Sequence, residues 1–189
     1  LEYLDRVLAE YQSRYGAMIP VDVWNIHNMI LRERADDYGA DIPPGLDGVE
    51  GRLYTWEDAD DIKIFEQQIL DFRQWMKQKG EQDKPLIISE YSVLYPESYG
   101  FDYARVSDYL YATFDIMMSA TDRSLGDPDD GHRLVQRWAW YSLNDSSFEG
   151  DDVSRHHLFD PKTRKITRLG IDYGAYPWRE TYLPVVLSD

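Results

Sequence analysis

The chain has 189 residues, enough for one domain with its own core, and 43% of them are apolar, which excludes a disordered chain. A net charge of −15 repels phosphate backbones and anionic lipid, so neither nucleic acid nor a membrane surface is an expected partner. The absence of cysteine excludes disulfides, thiolate nucleophiles and Cys-ligated zinc.

The elements run in a regular order. Leu1, Leu4, Leu8, Tyr11 and Tyr15 recur at helical spacing and Gly16 stops them, predicting a helix over 1–16. Leu1-Glu2-Tyr3-Leu4 already reads as helix interior with no initiator Met. Residues upstream are therefore expected, and the lack of a visible signal peptide does not argue against secretion. A β-branched and aromatic run predicts a buried strand over 20–28. A polar loop over 29–61 follows, rich in Gly, Asp and Pro; loops of that length are often functional.

Ile62, Phe65, Ile69, Phe72 and Met76 share one face of a helix over 62–79. Asp58, Asp60 and Asp61 lie near its start, and Lys77 and Lys79 near its end, as the helix dipole favours. A strand over 85–91 is followed by a helix over 103–120, a GDPDDG turn at 126–131, a strand over 134–143 and a tail over 156–189. Strands separated by amphipathic helices predict parallel pairing, and ligands in such folds bind beyond the carboxyl ends of the strands.

Those ends carry the candidate residues. The first strand closes on Asn25, His27 and Asn28, the second on Ser89, Glu90 and Tyr91, the third on Trp140, Tyr141, Asn144 and Asp145. Strand alternation puts Leu86, Ile88 and Glu90 on one face, where a carboxylate is costly unless paired or solvated. A Glu that is merely exposed, or paired with Arg137, is the plainer alternative. His27 reads more readily as a structural hydrogen-bonder than as a catalyst. Of Trp138 and Trp140 at least one belongs to the core. His156 and His157 form no zinc-like spacing and read as solvated, so no metal is expected. No cofactor motif is present either: the chain has no phosphate loop, no GxSxG and no GxGxxG. Most of the 15 Tyr and 6 Trp suit core packing; the sharper alternative is that some line a carbohydrate groove.

Lys84-Pro-Leu-Ile-Ile-Ser-Glu90-Tyr91, Arg137-Trp-Ala-Trp-Tyr-Ser-Leu143 and Val21-Asp-Val-Trp-Asn-Ile-His27, with the closing Leu158-Phe-Asp-Pro and Thr167–Gly170, resemble the last part of a clan A glycoside hydrolase. The resemblance spans nearly the whole chain. It implies an α/β fold that is the C-terminal portion, about strands six to eight, of a (β/α)8 TIM barrel with outer helices. By that resemblance Glu90 is the nucleophile of a retaining glycosidase and Trp140 the platform under the sugar. His27 and Tyr91 would hydrogen-bond Glu90, Asn28 and Asn144 would bind hydroxyls, and Trp56, with Tyr54, would shape the groove.

The clan's acid/base Glu follows an Asn at the end of the fourth strand, and no Asn-Glu pair occurs here. Strands one to five are therefore expected to lie outside this chain, and the chain is expected to be inactive alone. It is expected to need the missing part of the barrel or a second chain to act on a carbohydrate substrate. Two alternatives stay open: a non-catalytic carbohydrate-binding barrel, and an unrelated doubly wound α/β domain with helices on both sheet faces and a structural Glu90.

Overall fold

A computed structural model describes residues 1–34, 42–46, 52–145 and 155–177. Parts of the expected loop (35–41 and 47–51), of the acidic stretch after the third strand (146–154) and of the tail (178–189) lie outside the described residues.

The chain is a mixed α/β structure built on a small parallel sheet. Three strands, β1 (Trp24–His27), β2 (Leu86–Tyr91) and β3 (Arg137–Trp140), pair in the order β1-β2-β3. Among the described residues four α-helices accompany them: α1 (Glu2–Tyr15), α2 (Ile62–Gln78), α3 (Tyr103–Ser119) and α4 (Arg168–Ala175). Among the described residues no helix is long and apolar enough to cross a membrane.

α2 shows why these residues choose a helix and how it meets the sheet. Asp61 caps it, its carboxylate accepting from the N–H groups of Lys63 at 2.8 Å and Ile64 at 3.2 Å; such a cap contributes about 1 kcal/mol. Phe65, Ile69, Phe72 and Met76 then fall on one side and are buried. That side faces the sheet: Phe72 and Trp75 pack edge-on against Trp24 of β1, and Phe65 against Tyr91 of β2. α3 packs beside it, with Phe114 on Trp138 and Tyr109 near Trp140 of β3.

α1 is tied on through Asp5, which accepts from Trp75 Nε1 at 2.6 Å and pairs with Lys79 at 2.7 Å. Those two partners hold the Asp5 carboxyl below the usual carboxylate range. Arg73 anchors the amino ends of β2 and β3. Its fully buried guanidinium donates to the carbonyls of Leu134 (2.7 Å) and Lys84 (3.0 Å) and to Gln136 Oε1 (2.6 Å). Gln136 Oε1 also accepts from the Leu86 N–H, so one side chain joins helix and both strands.

The elements depart from the sequence reading in three places. β3 spans four residues rather than 134–143: Leu134, Val135 and Gln136 are buried before it begins, and the chain bends after Trp140. β1 begins at Trp24 rather than at residue 20. The expected tail contains α4, whose Tyr173 and Tyr176 rings meet Phe114. Two glycines in eight residues hide that helix, because glycine is a poor helix former. Gly170 is required there: a Cβ at that position would sit 2.1 Å from the Leu158 carbonyl oxygen.

All these helical contacts reach one face of the sheet. The opposite face carries Asn25, His27, Arg137 and Ala139, all exposed, with Ile87, Ser89 and Glu90 half-buried. Among the described residues no helix lies on that face, unlike the doubly wound arrangement, in which helices cover both faces.

Candidate active site

The site is shaped by one extra residue in β2. Trp24 N–H bonds the Pro85 carbonyl and Asn28 N–H bonds the Glu90 carbonyl, so four steps along β1 match five along β2. The β2–β3 ladder shows the same slip, since Ile88 pairs with Trp138 but Tyr91 pairs with Trp140. The surplus residue lies at Ser89–Glu90, a β-bulge, and a bulge re-aims the side chains that follow it.

The expected alternation, with Leu86, Ile88 and Glu90 on one face, is thereby corrected. Leu86 and Ile88 face the helices, and after the bulge Tyr91 rather than Glu90 joins them, all three fully buried. Glu90 stays on the open face at the carboxyl end of the central strand. It is opposite His27, with which it pairs in register. His27 Nδ1 lies 3.5 Å from Glu90 Oε2, and the two side chains are 56% and 40% exposed. Arg137, the other candidate partner for Glu90, instead donates to the Gln136 carbonyl at 2.7 Å.

Three other candidates sit where they cannot touch a ligand. Trp140 is 6% exposed, because it follows Trp138 onto the helical face. Its ring stands edge-on to Tyr91 at 5.2 Å and its Nε1 donates to the His156 carbonyl at 2.7 Å. Trp140 belongs to the core and Trp138 is partly buried against it, and a ring as enclosed as that of Trp140 offers no stacking surface. Tyr91 is fully buried, so its hydroxyl cannot reach Glu90. It faces Thr113 without meeting hydrogen-bond geometry, and burial pushes it well above the usual phenol range. Asn28 is buried too, and its Nδ2 donates to the Phe65 carbonyl at 3.1 Å, fastening the end of β1 to α2.

The remaining two candidates are accessible. Asn144 is exposed in the turn after β3, beside Asp145, whose N–H bonds Ser142 Oγ at 3.0 Å. Trp56 is 37% exposed in the β1–α2 connection and stands edge-on to Tyr99 of the β2–α3 connection at 5.6 Å. Arg155, after β3, pairs with Glu97 of that same connection. The connections leaving the carboxyl ends of the three strands are thus joined to one another.

Sequence reasoning missed several residues behind this end of the sheet. His156 and His157 are buried, not solvated, with ring centroids 3.9 Å apart. Ser142 Oγ accepts from the Asp145 N–H at 3.0 Å and lies 3.1 Å from His157 Nδ1, within hydrogen-bond distance. Burial lowers the pKa of His156 to about 3; neighbouring His157 adds to the effect and Asp145 opposes it. Tyr141 lies parallel to His156 and donates its hydroxyl to Asp145, while its N–H bonds the Tyr91 carbonyl at 2.9 Å. The apolar Leu158-Phe159 directly after the histidines was the available hint that this stretch turns inward.

Among the described residues, no group of three or more His, Cys, Asp or Glu side chains gathers as a metal's ligands would. A hollow of about 390 Å³ is lined by Asp60, Ile62, Arg105, Asp108, Tyr109 and Ala112, from the start of α2 and from α3, and none of the candidate residues lines it.

No family model and no curated protein matches the chain. Among solved structures, a GH128 (subgroup II) endo-beta-1,3-glucanase from Sorangium cellulosum aligns with 61% of this chain at 17% identity and a TM-score of 0.38. The match spans 36% of that enzyme's chain. At that score the likeness decides neither fold nor function.

Proposed function

We propose that this chain is the strand-six-to-eight portion of a retaining glycoside hydrolase barrel, with Glu90 as its nucleophile. The observation that carries the reading is the position of Glu90. It is an accessible carboxylate at the carboxyl end of the central strand, on the sheet face that no helix among the described residues covers, with an imidazole 3.5 Å away. Ligands of parallel α/β folds bind at that end. A nucleophile must also present an oxygen that a substrate can reach.

In the implied reaction Glu90 attacks the anomeric carbon and the glycosidic C–O bond breaks. The leaving oxygen takes a proton from a second carboxylic acid, and water later hydrolyses the glycosyl ester. That acid would come from the fourth strand of the full barrel, about 5 to 5.5 Å from Glu90. The uncovered sheet face and the free edges of β1 and β3 are the surfaces the rest of a barrel, or a second chain, would cover. Among the accessible residues, Trp56 and Asn144 remain candidates to contact a carbohydrate. Glu90→Gln in the full-length protein should lower hydrolysis of a panel of aryl glycosides by roughly 10⁴-fold or more. Near-normal turnover would remove Glu90 from the role.

A further inference from the structure

We propose that Asn25 is the positioning residue for Glu90, acting by capping the β2 bulge from the neighbouring strand. This rests on the reading of Glu90 as the reacting carboxylate. A bulge leaves the extra residue out of the ladder, with a backbone group to satisfy. Here that group is the Ser89 N–H, and Asn25 Oδ1 accepts it at 3.2 Å. Only the oxygen of an amide side chain can accept, so this bond also fixes which way the Asn25 amide faces.

Asn25 lies two residues before His27, hence on the same open face of β1. Three residues after Asn25, the Asn28 N–H bonds the Glu90 carbonyl at 2.9 Å. Asn28 is itself anchored to α2 through the Phe65 carbonyl. β1 therefore grips the bulge on both sides of the Glu90 side chain, by a side-chain oxygen before it and a backbone N–H after it. Without the first grip nothing from β1 holds Ser89. The regular pleat then becomes competitive, and that pleat turns Glu90 toward Phe65 and Trp140 in place of Tyr91. Asn25 is exposed, so water can replace its bond to Ser89. The effect of losing it falls on where Glu90 points more than on whether the chain folds.

The test uses the chain itself and reads geometry by nuclear magnetic resonance. The chain has four histidines, and His27→Gln assigns the His27 ring signal among them. Glu90→Gln should displace that signal in the parent, and in an Asn25→Ala background the displacement should fall at least threefold. The Ser89 amide should exchange at least tenfold faster in Asn25→Ala. It should return to within twofold of the parent in Asn25→Asp, which keeps an oxygen in the same place. Asn25→Ser, whose hydroxyl is too short to reach Ser89, carries the same comparison if the alanine variant does not fold.

The proposal is overturned if Glu90→Gln moves the His27 signal as far in Asn25→Ala as in the parent, or moves it in neither. It is equally overturned if Ser89 exchange is indifferent to Asn25, or if Asn25→Asp fails to restore its protection. Hydrolysis is not read here, so failure of this inference is distinct from a Glu90→Gln enzyme that still turns over.

Discussion

Replacing Arg73 with Met isolates the interaction that joins α2 to the amino ends of β2 and β3. Met keeps an apolar stem of similar length and removes the guanidinium. Three short hydrogen bonds are lost, to the Leu134 and Lys84 carbonyls and to Gln136 Oε1. Bonds from a charged donor contribute about 1.5–3 kcal/mol each, or about 5–9 kcal/mol together. Against this stands the cost of burying the charge. Desolvation lowers the Arg73 pKa to about 10, below the ordinary guanidinium range, despite the opposing pull of Asp127 and Asp130. That lowering is equivalent to about 3 kcal/mol. The difference places the expected net loss at about 2–6 kcal/mol; Gln136 Oε1 keeps the Leu86 N–H as a donor, whereas the two carbonyls lose theirs. Urea titration followed by circular dichroism and tryptophan fluorescence should show a lower midpoint at unchanged slope, with Tm falling by about 10 °C. Arg73→Lys, which retains the charge but not the fork, should lie between the two. A loss below about 1 kcal/mol for Arg73→Met would refute the reasoning, since the bonds would then do no more than offset desolvation.

Two further outcomes follow from named groups. In the folded chain His156 stays neutral down to about pH 3, whereas its ordinary value is 6.5, so as pH falls below 6.5 the unfolded chain binds a proton that the folded one does not. Stability should therefore fall by about 2 kcal/mol between pH 7.5 and 5 and level off above 7. Urea midpoints across that range would measure it, and a His156→Phe variant with an equally steep loss would assign the acid sensitivity elsewhere. Gly170→Ala should cost about 1–3 kcal/mol despite alanine's better helix propensity, because its Cβ would meet the Leu158 carbonyl at 2.1 Å. A raised melting temperature would show that the Leu158 segment yields.

Much of the framework was legible because it rests on periodicity. The spacing of Phe65, Ile69, Phe72 and Met76 specifies both the helix and the face it buries, and Asp61 marks its start. What periodicity does not encode is a change of register. Nothing in Ile88-Ser89-Glu90 announces a bulge: there is no glycine in it, and its cap comes from Asn25, 64 positions earlier. The side of the sheet on which Trp140 lies depends on the pairing of β3 with that bulged strand, so the expected platform role failed for the same reason. α4 stayed hidden because a packing requirement, the approach of Leu158 to Gly170, put a poor helix former inside a helix. His156 and His157 were misread because burial depends on the fold around a residue, and the neutrality of His156 follows from that burial.

The bulge resolves a conflict that a regular strand would leave standing. Six residues, Leu86 to Tyr91, must supply the helical face with apolar groups and still present a carboxylate at the carboxyl end. Under strict alternation the third inward position after Leu86 and Ile88 is Glu90, which would bury a carboxylate beside Phe65 and Trp140, while Tyr91 would turn outward. An unpaired carboxylate in such surroundings costs several kcal/mol or takes up a proton, and either outcome is incompatible with the role proposed for it. One inserted residue exchanges the two. Tyr91 fills the space between Phe65 and Trp140, at centroid distances of 5.3 and 5.2 Å, and Glu90 keeps its exposure opposite His27. Core packing and access to the carboxylate are thus met by the same irregularity, so a substitution that straightens β2 should damage both together.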